Sequence, residues 1–170
     1  MTNLLHSKAI DELTPKVIQV ILKAIRFSRP LPNTELNDLS IVQAQMPVNI
    51  SKTMHDYILI DWLSNEITNQ YNRHRQIYQL SPINRQCSYH ALLDHLDEDF
   101  TQNNEHLEAW SLLYHRYVRV DLGLSTTDFQ NAARQSDRNL RRRQTVGYTL
   151  LCHHLLSLER ATSEHKHVDY

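Results

Sequence analysis

Four arginines near the carboxyl end of the chain could bind a phosphate or a base. They are Arg138, Arg141, Arg142 and Arg143. A guanidinium keeps its charge at physiological pH, and it can donate paired hydrogen bonds to a phosphate or to the acceptor edge of guanine in the major groove. Spacings of three and four residues place the first three on one face of a helix, whereas Arg143 turns toward another side. We therefore expect an anion-binding surface, with double-stranded DNA as the first candidate partner.

The segment from residue 125 to residue 160 is basic, although the whole chain is not. It contains six Arg against three acidic residues, a surplus of three positive charges. The whole chain has 18 Lys and Arg against 19 Asp and Glu, and its formal charge is −1. Composition therefore predicts no general affinity for polyanions, and nucleic-acid binding must come from a local surface. A run of Arg on a helix can also be a solvated face, which is the plainer alternative.

Two helices and a short connection are expected to hold these arginines. Gly123 ends the preceding helix, because glycine accepts the backbone angles of a helix exit. Ser125 is suited to cap a short helix over residues 126–134, with Asp128 in a weaker form of the capping box. Ser136 repeats the capping signal, with Asp137 in the first turn, and opens a long helix with apolar residues at helical spacing. A connection of one to three residues remains, as in a helix-turn-helix.

This region resembles the DNA-binding fourth region of bacterial sigma factors. The similarity is carried by Leu112-Leu113, Arg116-Tyr117-Val118, Gly123-Leu124-Ser125, Phe129, Ser136, Leu140 and Arg141-Arg142-Arg143. Close variants occur in an amino-terminal helical module of large bacterial signalling NTPases, to which residues 17–43 are also loosely similar. The resemblance implies that the helix opening near Ser136 lies in the major groove. Together with Arg134 near the turn, the candidate DNA contacts are Ser136, Arg138, Asn139, Arg141, Arg142 and Arg143.

Three positions depart from the pattern of that family. Gln130 stands where a small residue is usual, Arg134 where glycine is usual, and Gln135 where an aliphatic residue is usual. The turn must therefore form without its glycine, and one core anchor is missing. A fold of this shape can also serve to bind protein. The second hypothesis is thus a non-enzymatic adaptor that keeps the sigma-like fold and binds an acidic protein partner.

An acidic segment between residues 91 and 110 bears on both hypotheses. It contains no Lys or Arg, and its acidic members are Asp94, Asp97, Glu98, Asp99, Glu105 and Glu108. If it folds back over the arginines, it neutralises them and excludes DNA. If it lies on the far side, it steers the basic side toward the duplex, and a solvated acidic surface is the third alternative. A DNA-binding protein should expose Arg138, Arg141 and Arg142, whereas in an adaptor helices from Tyr89 to Phe100 should partly cover that surface.

The whole chain is expected to be an all-α protein of six to eight helices with a long last helix. Only two glycines and 41% hydrophobic residues favour helices over a sheet. A first helix should begin at Thr14, with Pro15 in its first helical position. Further helices are expected over residues 34–44, 51–80 and 89–100. The second half of the long helix over residues 51–80 should be solvated on most sides. We expect a helical support region over residues 1–104, the helix-turn-helix unit over residues 105–162, and a flexible tail over residues 163–170.

Catalytic and metal-binding patterns are weak in this chain. The eleven histidines include the adjacent pair His153-His154, which cannot easily hold one ion, and His90 and His95, whose spacing is poor for one helix face. We expect no metal, no cofactor and no enzymatic activity. Two isolated cysteines and the lack of a signal or membrane-spanning stretch predict a soluble cytoplasmic protein. RNA polymerase or a larger signalling protein is a candidate partner, and the last helix has enough apolar residues for homodimerisation.

Overall fold

All regular secondary structure in residues 12–165, the part of the chain that this computed structural model describes, is helical. Its α-helices are α1 (Pro15–Arg26), α2 (Ser40–Gln43), α3 (Lys52–Ile77), α4 (Tyr89–Thr101), α5 (Glu105–Leu113), α6 (Thr126–Ala133) and α7 (Asp137–His165). Short 3₁₀ segments occupy Glu35–Asp38 and Val120–Leu122, and a π-helical turn occupies Tyr114–Val118. The prediction of an all-α protein with six to eight helices and a long last helix is confirmed.

The chain forms two compact units. One, which we call the terminal unit, extends to Trp62 and resumes at Tyr148; the other, the central unit, comprises Leu63–Gly147. Helices α3 and α7 each begin in one unit and end in the other. This grouping differs from the predicted division after residue 104, which was placed at a polar run and stays a prediction. That run is a three-residue connection, and Asn104 caps α5 by accepting from the Leu107 N–H at 3.0 Å.

In the terminal unit, local signals start α1 and a distant residue starts α2. The hydroxyl of Thr14 caps α1, and Pro15 takes the first helical position, as predicted. The residue before α2, Leu39, cannot cap it with a side chain. The fully buried carboxylate of Glu159 does so instead, accepting from the N–H and hydroxyl of Ser40 at 3.0 and 2.8 Å and from the Ile41 N–H at 3.0 Å. The predicted helix over residues 34–44 is thus a 3₁₀ turn followed by α2.

In the central unit, α4 packs against α6 around an apolar core. Its members are Leu96, Phe100, Leu112, Leu124, Phe129, Ala133 and Leu140. A glycine lets α7 approach α5 closely, because a Cβ on Gly147 would stand 2.9 Å from Leu113 Cγ and 3.2 Å from the Ala109 carbonyl oxygen. The amino-terminal part of α7 therefore packs against α5 and against the apolar core that α4 and α6 share.

The carboxyl end of α7 extends beyond its predicted limit. The helix reaches His165, so residues 163–165, which we expected in a flexible tail, are helical. The rest of that predicted tail, including His167 and Tyr170, lies outside the described residues. Within residues 12–165, no helix is both long enough and apolar enough to cross a membrane.

Candidate nucleic-acid interface

Helix α6 begins with a reciprocal cap. The hydroxyl of Ser125 accepts from the Asp128 N–H at 3.1 Å, and the Asp128 carboxylate accepts from the Ser125 N–H at 2.7 Å. The Tyr89 hydroxyl of α4 also donates to Asp128, at 2.7 Å. Hydrogen bonds from the Ser125 backbone, Tyr89 and the Ser125 hydroxyl lower the pKa of Asp128. The complete capping box fixes the start of α6 and ties it to α4.

The connection between α6 and α7 is three residues long, within the predicted range. Arg134 ends α6 in the left-handed conformation, with φ of +53°. Its N–H and that of Gln135 both bond to the Gln130 carbonyl, which satisfies the end of the helix. Arg134, where the resemblance predicts a glycine, thus adopts the backbone conformation that glycine favours, here at a cost in strain.

Replacing Arg134 with glycine should raise the free energy of unfolding by about 0.5–1 kcal/mol, because relief of the left-handed strain outweighs the chain entropy of glycine and one exposed ion pair. Urea denaturation followed by circular dichroism measures the change. Arg134→Ala is the matched control, since it loses the same ion pair but keeps the strain. A glycine variant no more stable than the alanine variant would contradict strain at this turn.

The first turns of α7 present three arginines to solvent. The Ser136 hydroxyl accepts from the Asn139 N–H at 3.2 Å and caps the helix, as predicted. Leu140 is buried in the core, and at 100° per residue Arg138 and Arg142 lie opposite it. Both are exposed, as is Arg141 beside them. We call Arg138, Arg141 and Arg142 the basic face.

Ion pairing within α7 leaves most of this charge available. Arg141 pairs with Asp137 one turn earlier, at 2.7 Å, and its side chain is 77% exposed. Such a pair is weak in water and can exchange for a phosphate. Arg138 and Arg142 have no carboxylate within 4.0 Å among residues 12–165. The basic face therefore carries a net positive charge.

Two other predicted contacts, Arg134 and Arg143, are held by acidic residues of the same chain. Arg143 lies away from the basic face, and its guanidinium contacts Glu108 at 2.5 Å and Glu105 at 2.7 Å on α5. Its side chain is only 21% exposed. Arg134 contacts Asp97 of α4 at 3.2 Å but remains 79% exposed. Arg143 thus anchors α7 to α5, whereas Arg134 is still accessible beside the turn.

The acidic segment does not cover the basic face. Helix α4 packs on α6, and Asp97 reaches only as far as Arg134. The acidic residues of α5 that contact an arginine contact Arg143. Two further acidic residues, Glu98 and Asp99, pair with Arg75. The segment therefore neutralises two of the predicted contacts and leaves Arg138, Arg141 and Arg142 exposed.

The central unit also contains a buried polar cluster of five side chains, each at most 1% exposed. They are Tyr71, Arg75, Asp99, Ser111 and His115. The Asp99 carboxylate accepts from the Arg75 guanidinium, from the Tyr71 hydroxyl and from the Ser111 hydroxyl, the last at 2.6 Å. Arg75 also donates to the Ser81 carbonyl at 2.7 Å and to Glu98 at 2.6 Å. Asp99 therefore joins α3, α4 and α5.

Burial shifts the pKa values of two members of the cluster in opposite directions. It raises the pKa of Asp99 to about 6, against the opposing effects of Arg75, Ser111 and Tyr71. It lowers the pKa of His115 to about 3, so the ring is neutral at physiological pH. His115 Nδ1 lies 2.7 Å from the Ser111 carbonyl oxygen, and its N–H donates there. Nε2 has no hydrogen-bond partner among the described residues.

Sequence reasoning missed this cluster. It placed Asp99 in an acidic segment with three alternative roles, and it expected the second half of the long helix to be solvated on most sides, but Asp99, Tyr71 and Arg75 are fully buried. The available signal was the four-residue spacing of Leu63, Ile67, Tyr71 and Arg75, which continues one helix face. An arginine at the end of an apolar stripe requires a buried anionic partner.

The predicted contact residues thus fall into three groups. Arg138, Arg141 and Arg142 form the basic face, Ser136 and Asn139 form the capped first turn, and Arg134 and Arg143 contact acidic residues. Asn139 also donates to the Gln135 side chain at 3.2 Å. No family of known proteins, no curated protein and no solved structure matches the chain.

Proposed function

We propose that this chain is a DNA-binding protein, a transcriptional or signalling regulator whose helix α7 enters the major groove. Helices α6 and α7 then act as a helix-turn-helix like that of the sigma fourth region. One observation carries the proposal: Arg138 and Arg142, opposite buried Leu140, and Arg141 beside them are exposed at the start of a capped helix. That is the place from which a recognition helix contacts base edges.

Each part of this surface has a role in the proposed complex. Guanidiniums at Arg138 and Arg142 can donate paired hydrogen bonds to guanine or to phosphate oxygens. Asn139 can exchange its bond to Gln135 for the edge of adenine. Arg134, beside the turn, can contact a phosphate in place of Asp97. The positive end of α7 adds a favourable field for a phosphate.

Replacing Arg138 and Arg142 with alanine should weaken binding to a mixed-sequence duplex about tenfold at 0.1 M salt, and should reduce the slope of log K against log salt by about 1.8. Fluorescence anisotropy across a salt series measures both quantities. Arg73→Ala/Arg85→Ala is the matched control, because it removes the same charge from two exposed arginines elsewhere in the central unit. Equal losses in both variants would contradict a specific role for the basic face.

The adaptor hypothesis retains one supporting observation. Arg134 and Arg143 contact carboxylates within the chain, and these contacts support the binding of an acidic partner by arginines around α7. On this alternative the basic face binds an acidic surface of RNA polymerase or of a larger signalling protein. Absence of duplex binding even at low salt would contradict the DNA proposal and favour the adaptor.

A further inference from the structure

A second basic surface lies at the end of α1, in the terminal unit. Residues 13–34 contain four Lys or Arg and no Asp or Glu. Two of those cations, Arg26 and Arg29, flank Phe27, which is 57% exposed, and Lys23 precedes Phe27 by one helical turn. We call these four residues the phenyl-guanidinium surface.

Phe27 holds two of the guanidiniums without neutralising them. The Arg26 Cζ atom lies 5.6 Å from the Phe27 ring centroid, and the Arg29 Cζ atom lies 5.5 Å from it. These are cation–π contacts, which orient a guanidinium and leave its positive charge intact. Arg143, by contrast, is paired with two carboxylates. Neither Arg26 nor Arg29 pairs with a carboxylate of residues 12–165, so both guanidiniums are available to an external anion.

The backbone around Phe27 is also fixed. Ser28 has φ of +51°, and the Arg29 N–H bonds to the Ala24 carbonyl at 2.9 Å, which closes α1 in a Schellman-type turn. Two residues later, the Leu31 N–H donates to Asp56 at 3.0 Å, and Lys52 donates to the Leu31 carbonyl at 2.9 Å. Binding would therefore require little ordering of this segment.

Stabilisation of the helix end explains only part of this arrangement. Lys23 and Arg26 lie in the last turn of α1, where cations favour the helix dipole by about 0.3–1 kcal/mol each. That effect fades beyond the last turn and gives no reason to expose Phe27 or to hold Arg29 against it. The shared contact with one ring indicates that the two guanidiniums are positioned together.

We propose that the phenyl-guanidinium surface is a second contact for the phosphodiester backbone of nucleic acid. The inference rests on the proposed function, but it concerns different residues in a different unit. Two cations in fixed positions match the repeated single charges of a phosphate backbone, and they carry no base preference. Backbone contacts here would add affinity, and α7 would supply sequence preference.

The test compares five proteins on one mixed-sequence duplex across a salt series. They are the wild type, Arg26→Ala/Arg29→Ala, Arg26→Lys/Arg29→Lys, Arg138→Ala/Arg142→Ala and the control Arg73→Ala/Arg85→Ala. The alanine pair should reduce the slope of log K against log salt by about 1.8, whereas the lysine pair should keep the wild-type slope because it keeps the charge. Circular dichroism checks that every variant folds.

The outcomes separate this inference from the proposed function. Loss of slope in Arg26→Ala/Arg29→Ala but not in Arg138→Ala/Arg142→Ala would support the second contact and contradict the major-groove proposal. An unchanged slope in Arg26→Ala/Arg29→Ala would contradict a phosphate contact at the phenyl-guanidinium surface. It would not affect the proposal that α7 enters the major groove. Binding of phosphatidylserine vesicles that needs Arg26 and Arg29, without any effect of these residues on DNA binding, would overturn the second contact in favour of a membrane surface.

Discussion

Replacing Asp99 with alanine should lower the free energy of unfolding by about 3–5 kcal/mol, because it leaves the Arg75 guanidinium buried without its main counterion. Arg75 has no exposed side-chain surface, and Glu98 alone cannot replace the lost carboxylate because it is 48% exposed and screened by water. The Tyr71 and Ser111 hydroxyls would also lose their acceptor. Such a loss is a large part of the stability of a typical domain.

Urea or guanidinium denaturation measures this loss, with helix content followed by circular dichroism. Asp94→Ala is the matched control, since Asp94 is an exposed Asp on the same helix, and its effect should stay within about 0.5 kcal/mol. A loss for Asp99→Ala no larger than that of the control would contradict the role of Asp99 in joining α3, α4 and α5.

Replacing His115 with phenylalanine should make the protein more resistant to acid than the wild type. The folded state holds His115 neutral, with a pKa of about 3, whereas in the unfolded state the ring is protonated below about pH 6.5. Each unit of acidification below about pH 6.5 therefore costs the wild type about 1.4 kcal/mol that the variant does not lose. Phenylalanine keeps the ring contacts with Tyr71 and Tyr114.

Asp99 acts in the opposite direction over much of the same range. Its folded-state pKa of about 6 lies above its unfolded value, so the folded state binds an extra proton between about pH 4 and pH 6 and gains stability as the pH falls. In the wild type this gain offsets the loss from His115. In His115→Phe the loss from His115 is removed while the gain from Asp99 stays, so this variant should lose less stability than the wild type as the pH falls from about 6 to about 4.

Urea denaturation of both proteins at several pH values tests this expectation. The difference in free energy of unfolding should move in favour of His115→Phe by about 2.3 kcal/mol between about pH 6.5 and about pH 4.5. All other titrating groups are common to both proteins and cancel in this difference. A difference that does not change with pH would show that His115 is protonated alike in the folded and unfolded states.

Much of the candidate site follows from local sequence. Gly123, Ser125 and Ser136 lie where they were expected, because a helix exit and an N-terminal cap depend on a few neighbouring residues. The three-residue connection and the common face of Arg138, Arg141 and Arg142 are equally local, since helical geometry alone relates them. The length of α7 follows from its helical spacing of apolar residues, and the all-α class follows from the composition of the chain.

Features that depend on distant residues were not predictable in the same way. Nothing near Arg143 in sequence shows that it pairs with Glu105 and Glu108, because those residues lie more than 30 positions away. The capping of α2 by Glu159 spans 119 positions. The guanidiniums around Phe27 escaped notice because a short run of cations at a helix end resembles ordinary capping.

The most direct test of DNA binding through α7 is an amide NMR titration of the 20.1 kDa protein with a mixed-sequence duplex at low salt. We expect the largest shift changes along the first turns of α7, from Ser136 to Thr145, and at Arg134 in the preceding turn. Smaller changes are expected around Phe27 if the second contact forms. Shifts confined to other parts of the central unit, or no shifts at all, would contradict the assignment of α7 as the recognition helix.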